Sequence, residues 1–319
     1  PEMPKQFIDV LGVGKSLLQL TVERFSEVIP MENVWVVTSK RYKETVMAQL
    51  PQVPEEQVLS EPCMRNTAPC IAYVTYKIRS RHGDANLVFS PADHVVLDTR
   101  EFGRMIGKGL SFTANTDAIV TLGVKPTRPE TGYGYIKAGE AADGMIRKVE
   151  AFKEKPDEET ARRYVGEGGY YWNSGIFIWN AATVEKEFEC HVPALASTFS
   201  SLRNVYYTRE EQAMIDAVFP GCENISIDYA VMEKSGNTYV CPVDFGWSDL
   251  GTWGSLHTHL PRDERGNAVI GGNVKLVECV DCVVRVQEMR QAVVEGLEHC
   301  IVVEHGGRLL VCRKDEEQH

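Results

Sequence analysis

Up to about residue 260 the chain alternates short apolar runs with amphipathic stretches, and this alternation narrows the fold more than any other feature. Residues 34–38 (Val-Trp-Val-Val-Thr) have the texture of a buried strand, and a helical pattern follows at Tyr42, Val46, Met47 and Leu50, closed by Pro51. Residues 66–81 read as a helix, with Asn66 or Thr67 available as N-cap and Ile71, Val74, Thr75 and Ile78 on one face. A strand at 87–90, a helix around 100–112 and a strand at 118–123 continue the series. Strands alternating with helices imply an α/β domain with a mostly parallel sheet covered on both faces. In such sheets ligands bind beyond the carboxyl ends of the strands.

After Leu260 the texture changes. Residues 261–267 (Pro-Arg-Asp-Glu-Arg-Gly-Asn) form a charged, turn-rich linker, and short Val-rich strands follow at 268–270, 274–277, 282–286, 292–295, 300–303 and 309–312. The chain therefore divides into a large domain over residues 1–260 and a small all-β domain over 261–319. A sandwich and a short β-solenoid both fit the strand spacing.

The net charge of −11 argues against a nucleic acid or a membrane surface as the main partner, since either calls for a basic stripe. No apolar run approaches the roughly 18–20 residues of a membrane span. Nine cysteines, an odd number in a large chain, read as reduced thiols and a cytoplasmic setting. Cys279 and Cys282 form a Cys-x-x-Cys with Cys300 and Cys312 downstream, which raises zinc. The segment is strand-like and lacks the Gly and aromatic residues of a zinc turn, so core packing is the better reading.

Two aspartates carry the strongest chemical signal. Asp93 stands in Leu-Val-Phe-Ser-Pro-Ala-Asp-His, and Asp249 in Phe-Gly-Trp-Ser-Asp-Leu-Gly-Thr-Trp. Each follows an apolar run and is flanked by small residues, as where a strand hands a carboxylate to a loop. Magnesium is often held by only one or two carboxylates, with phosphates and water completing its shell. The competing reading is a turn or a helix cap.

Five further segments stand out. Pro4-Lys5-Gln6-Phe7 offers a lysine that is either solvated or phosphate-directed. Glu61-Pro62-Cys63-Met64-Arg65-Asn66-Thr67 precedes a helix; it serves capping, or Glu61 accepts from the N1 and N2 donors of guanine. Gly132, Tyr133 and Gly134 form either a bulge or a close backbone approach to a ligand. In Phe152-Lys153-Glu154-Lys155-Pro156, Glu154 could face sugar hydroxyls and Lys155 a phosphate, or the two form a surface salt pair. Asn173-Ser174-Gly175 interrupts an aromatic strand where packing wants bulk, which marks a functional element or a β-bulge.

Taken in order, the motifs Arg-Asn-Thr-Ala-Pro, Pro-Ala-Asp-His, Phe-x-Glu-Lys-Pro, Trp-Asn-Ser-Gly-Ile-Phe, Ser-Ile-Asp-Tyr-Ala-Val-Met-Glu and Gly-Trp-Ser-Asp-Leu-Gly-Thr-Trp resemble those of the sugar-phosphate nucleotidyltransferases. Among these the match is to the mannose-1-phosphate guanylyltransferases, over roughly residues 4–253. The resemblance implies a Rossmann-like nucleotidyltransferase domain, with a tail similar to the family's short left-handed β-helix. The family's signature Gly-Gly-x-Gly-Thr-Arg-Leu-x-Pro runs on into Pro-Lys-Gln-Phe, of which only the last piece is present. The phosphate-cradling loop is expected upstream.

The implied reaction is GTP + mannose 1-phosphate → GDP-mannose + pyrophosphate, by in-line attack of the sugar phosphate on the α-phosphorus. The alternatives are another nucleotide-sugar pyrophosphorylase, or a non-catalytic paralogue that binds GDP-mannose. By resemblance, Asp93 and Asp249 would hold Mg²⁺, Asp93 also contacting the nucleotide. Lys5 would contact the nucleotide phosphates, and Lys155 the sugar phosphate. Glu154 and Asn173, with the backbone of Gly132, Tyr133 and Gly134, would bind mannose. Glu61, Arg65, Asn66 and Thr67 would read guanine. Asp228 either caps a helix or touches ligand. A homo-oligomer, a dimer, is the expected assembly.

Overall fold

A computed structural model describes residues 3–11, 13–249, 253–271, 273–286, 291–305 and 308–316. Leu250, Gly251 and Thr252 of the second aspartate motif lie outside the described residues. The chain packs as two compact units, a larger one of Val22–Pro91 and Thr99–Phe245, and a smaller one of Pro1–Thr21, Ala92–Asp98 and Gly246–His319. A boundary at residue 260 does not coincide with this division. Leu256 and Leu260 share an apolar cluster with Leu17 and Val95 from earlier in the chain and with Ala268 and Ile270 beyond the linker.

In chain order the first elements are α1 (Leu17–Phe25), β1 (Val36–Ser39), α2 (Lys43–Gln49), β2 (Val58–Glu61), α3 (Thr67–His82), β3 (Asn86–Phe89), β4 (Val95–Val96) and α4 (Thr99–Thr113). Next come β5 (Ile119–Val124), β6 (Tyr135–Asp143), β7 (Ile146–Lys153), α5 (Glu158–Glu167), β8 (Tyr170–Asn180), α6 (Ala181–His191), α7 (Pro193–Ser200) and α8 (Glu211–Val218). A π-turn (Asp228–Met232) leads to β9 (Thr238–Val243). The chain then runs through β10 (Trp247–Ser248), α9 (Trp253–His259), β11 (Ala268–Ile270), β12 (Val274–Val277), β13 (Val283–Arg285), β14 (Ala292–Glu295), β15 (Cys300–His305) and β16 (Arg308–Arg313).

The larger unit is built on a six-stranded sheet in the order β3-β8-β5-β9-β7-β6, and β1 pairs with β2 in a separate parallel ladder. The α/β class is the one the alternation implies, and β5 and β9 run parallel. The sheet is mixed, because β8 inserts in reverse between β3 and β5 and the β6–β7 hairpin is antiparallel. α3 starts at Asn66, whose side chain accepts from the Thr67 amide, and buries Ile71, Val74, Thr75 and Ile78 as the periodicity predicts. The apolar members of that face, Ile71, Val74 and Ile78, join Trp179, Phe188 and Phe199 in one aromatic-rich core.

In the tail, β11, β13 and β15 stack in parallel, as do β12 and β14. Residues of one coil meet residues of the next: Val274 meets Ala292, Val283 meets Ile301, and Val280 bridges to Glu298. This is a parallel β-coil rather than a sandwich. Its corners use left-handed residues, among them Asn273, Glu278, Asp281 and His299. β16 ends it by pairing antiparallel with β15. Cys279 and Cys282 sit inside the coil with Val284, Val294 and Val302, their thiols donating to backbone carbonyls.

Candidate functional site

The smaller unit brings Lys5, Asp93 and Asp249 together. β4 and β10 form an antiparallel ladder in which Trp247 lies opposite Val96 and Ser248 opposite Val95. That register puts Asp93, just before β4, and Asp249, just after β10, at the same end of the ladder. The Leu97 amide donates to the Gly246 carbonyl at 3.2 Å and extends the pairing. Gly246 has φ +65°, and a Cβ there would stand 2.9 Å from Leu97.

Lys5 opens a short 3₁₀ turn anchored by the buried Phe7. Its Nζ lies 3.3 Å from Asp93 Oδ2 and donates to the backbone oxygen of Asp249. One ammonium thus touches both aspartate residues. Trp247 Nε1 donates to His94 Nδ1 at 3.3 Å, which leaves His94 Nε2 to carry the ring proton, 3.6 Å from Asp93 Oδ1. His94 and Trp247 were not singled out by sequence, although both lie inside the aspartate motifs.

A second cluster stands in the larger unit, where β7 ends and β8 bulges. The register between β5 and β8 shifts from Thr121–Phe177 to Gly123–Asn173, and Gly175 takes φ +72°. Asn-Ser-Gly is therefore a β-bulge, and the bulge aims Asn173. The Asn173 amide hydrogen goes to the Gly134 carbonyl at 2.8 Å. Its side-chain Oδ1 accepts from Thr121 and from the Gly175 amide, and Nδ2 donates to Asp228 Oδ1 at 2.9 Å. Asp228 is the first residue of the π-turn; its carboxylate accepts from Asn173 Nδ2, and its own backbone amide and Ser226 also hydrogen-bond to it.

Glu154 follows directly on β7. Its Oε2 is buried and has no hydrogen-bond partner among the described residues, while Oε1 is 3.9 Å from Lys155 Nζ. A Cβ on Gly134 would collide with Oε2, so only glycine leaves room for this carboxylate. The Gly132 amide donates to Glu130 Oε1 at 3.0 Å, and the buried Tyr133 meets Trp172 edge-on. Lys155 is exposed and holds φ +44°, unusual for a residue with a Cβ.

Glu61, at the end of β2, also keeps a buried Oε1 with no hydrogen-bond partner among the described residues. Arg65 donates to the Pro220 carbonyl at 3.1 Å, and the Thr67 hydroxyl accepts from the Ile227 amide at 2.9 Å. Both tie the Arg65–Asn66–Thr67 loop down. Asn66 sits at φ 65°, ψ −167°, a conformation that belongs essentially to glycine.

The sequence profile of the nucleotidyl transferase family matches residues 1–265. The chain belongs to that family. It is similar to the xanthan biosynthesis protein XanB of Xanthomonas campestris pv. campestris (strain B100), 38% identical over 322 residues, covering 99% of this chain and 66% of the relative. It is similar also to a mannose-1-phosphate guanylyltransferase of Escherichia coli, 31% identical over 326 residues, covering 99% of this chain and 69% of that one. A crystal structure described as a mannose-1-phosphate geranyltransferase from Thermus thermophilus superposes with a TM-score of 0.87 at 30% identity, covering 99% of this chain and 90% of the other. The chain spans about two thirds of the length of the xanthan and alginate biosynthesis relatives.

For a nucleotidyl transferase the electrostatics of the second cluster are informative. Burial, and then the neighbouring charge of Asp228, push the Glu154 carboxyl up to about 7. Burial likewise pushes Glu61 up to about 7. A carboxyl raised in the folded state adds stability at low pH, and that contribution is lost as pH rises from 4.5 through about 7. Glu154→Gln should flatten the pH dependence of Tm across this window and leave the variant roughly 2–4 °C more stable at pH 8. Melting curves that stay parallel to those of the parent from pH 4.5 to about 8 would rule out this account.

Among the described residues no helix is long and apolar enough to cross a membrane.

Proposed function

We propose that this protein transfers a guanylyl group from GTP to mannose 1-phosphate, releasing GDP-mannose and pyrophosphate. The observation that carries the reading is the convergence of Lys5 on Asp93 and Asp249, a cation beside two hard-oxygen residues brought from distant parts of the chain. The name of the Escherichia coli relative supports the choice of substrates. The family implies a divalent metal, and two aspartates at one end of a ladder suit Mg²⁺, which takes one or two carboxylates and leaves room for phosphate and water. Bound there, Mg²⁺ would offset charge on the phosphate oxygens.

The rest falls to this chain's own residues. Lys5, paired with Asp93, would exchange that carboxylate for a nucleotide phosphate. Glu61 holds a buried acceptor suited to guanine N1 and N2 donors. Glu154 offers an acceptor and Asn173 a donor for sugar hydroxyls, and the exposed Lys155 ammonium suits the sugar phosphate. The nucleophile is already an anion at neutral pH, so positioning and charge neutralisation supply the catalysis. The nine cysteines, an odd number in a large chain, support a reduced, cytoplasmic setting.

The test is pyrophosphate release from the full-length protein over a panel of nucleoside triphosphates and sugar 1-phosphates. GTP with mannose 1-phosphate should give the highest kcat/KM. Preference for another pair, or GDP-mannose binding without turnover, would overturn the assignment.

A further inference from the structure

Asp228 and Glu233 bracket the π-turn, and the turn's geometry gives them a common direction. In an α-helix, residues five apart are rotated by roughly 140° and their side chains diverge. Here the Glu233 amide donates to the Asp228 carbonyl at 2.9 Å, the five-residue bond of a π-helix. The wider turn returns both side chains to one side. Asp228 accepts from Asn173 Nδ2 at 2.9 Å, and Glu233 Oε1 accepts from the Glu154 amide at 3.1 Å. Ala230, Val231 and Met232, between them, are buried and fix the turn to the core.

We propose that Asp228 and Glu233 are positioning residues, a two-armed brace that sets Asn173 with one arm and the Glu154–Lys155 corner with the other to receive the sugar phosphate. The inference rests on the sugar-binding reading of the Glu154 cluster. Each arm has a distinct consequence. Asn173 Oδ1 is already engaged by Thr121 and Gly175, so with one Nδ2 hydrogen on Asp228 the other remains for a ligand. Asn173 is thereby set as a donor opposite the buried acceptor of Glu154. The second arm holds the residue before Lys155, whose left-handed backbone is disfavoured for a residue with a Cβ and needs an external hold. The charges facing Glu154 are Asp228, Glu233 and Lys155.

Glu233 is exposed, so truncating it leaves the core intact. Glu233→Ala should raise the KM for mannose 1-phosphate about tenfold, the loss of one hydrogen bond to a charged acceptor. The KM for GTP and kcat should stay within about twofold, and Glu233→Gln, which keeps the acceptor, should restore the parent KM. An unchanged KM for the sugar phosphate, or an equal rise in both KM values, overturns the brace. Glu154→Gln is measured beside it. If that variant raises the sugar-phosphate KM and Glu233→Ala does not, only the brace fails. If neither does, the sugar assignment of the cluster fails with it.

Discussion

Asp249→Asn is expected to lower turnover about 10³-fold while leaving the fold unchanged. The exchange removes a charge and almost no volume. The backbone oxygen of Asp249 that receives Lys5 is untouched, and so is the ladder of β10 with β4. The loss should therefore fall on the chemical step and its metal dependence. Initial rates of pyrophosphate release against Mg²⁺ concentration, with a thermal melt of the same sample, measure both. Near-normal turnover in a folded variant would remove Asp249 from the catalytic set.

Gly134→Ala is the second large effect. The new methyl would overlap Glu154 Oε2 and stand 3.3 Å from Asn173 Cβ. The Glu154 carboxylate is the end of a flexible side chain, so it swings aside and stability falls by only about 1 kcal/mol. Binding suffers more, because the displaced oxygen is the acceptor offered to the sugar. The KM for mannose 1-phosphate should rise roughly 30-fold, about 2 kcal/mol, with that for GTP little changed. An unchanged sugar-phosphate KM would mean that Glu154 Oε2 does not face the substrate.

Local signals in the sequence were legible where a residue's role is local. The Asn66 cap and the apolar face of α3 follow from side chains a few positions away. The mixed ladders were not legible, because alternation of strand and helix says nothing about β8 entering in reverse between β3 and β5. The unit division was equally hidden, since Leu17, Val95 and Leu256 meet only in space. In the candidate site, Glu154 and Asn173 stood out by type, and the structure brings them to one corner. Glu233 did not, because its task is to accept a backbone hydrogen and any acidic residue on a helix looks alike.

The smaller unit is assembled from three separated stretches, and this sets an order of events during synthesis. Chains emerge from the ribosome at about 5–20 residues per second, amino end first. All of the larger unit, which ends at Phe245, is made before Asp249 exists. Lys5 must therefore wait for a partner 244 residues downstream, and Asp93 for the strand that fixes its ladder. A chain arrested before β10 carries every residue of the larger unit, the Glu154–Asp228 cluster included, and lacks the Lys5–Asp93–Asp249 cluster.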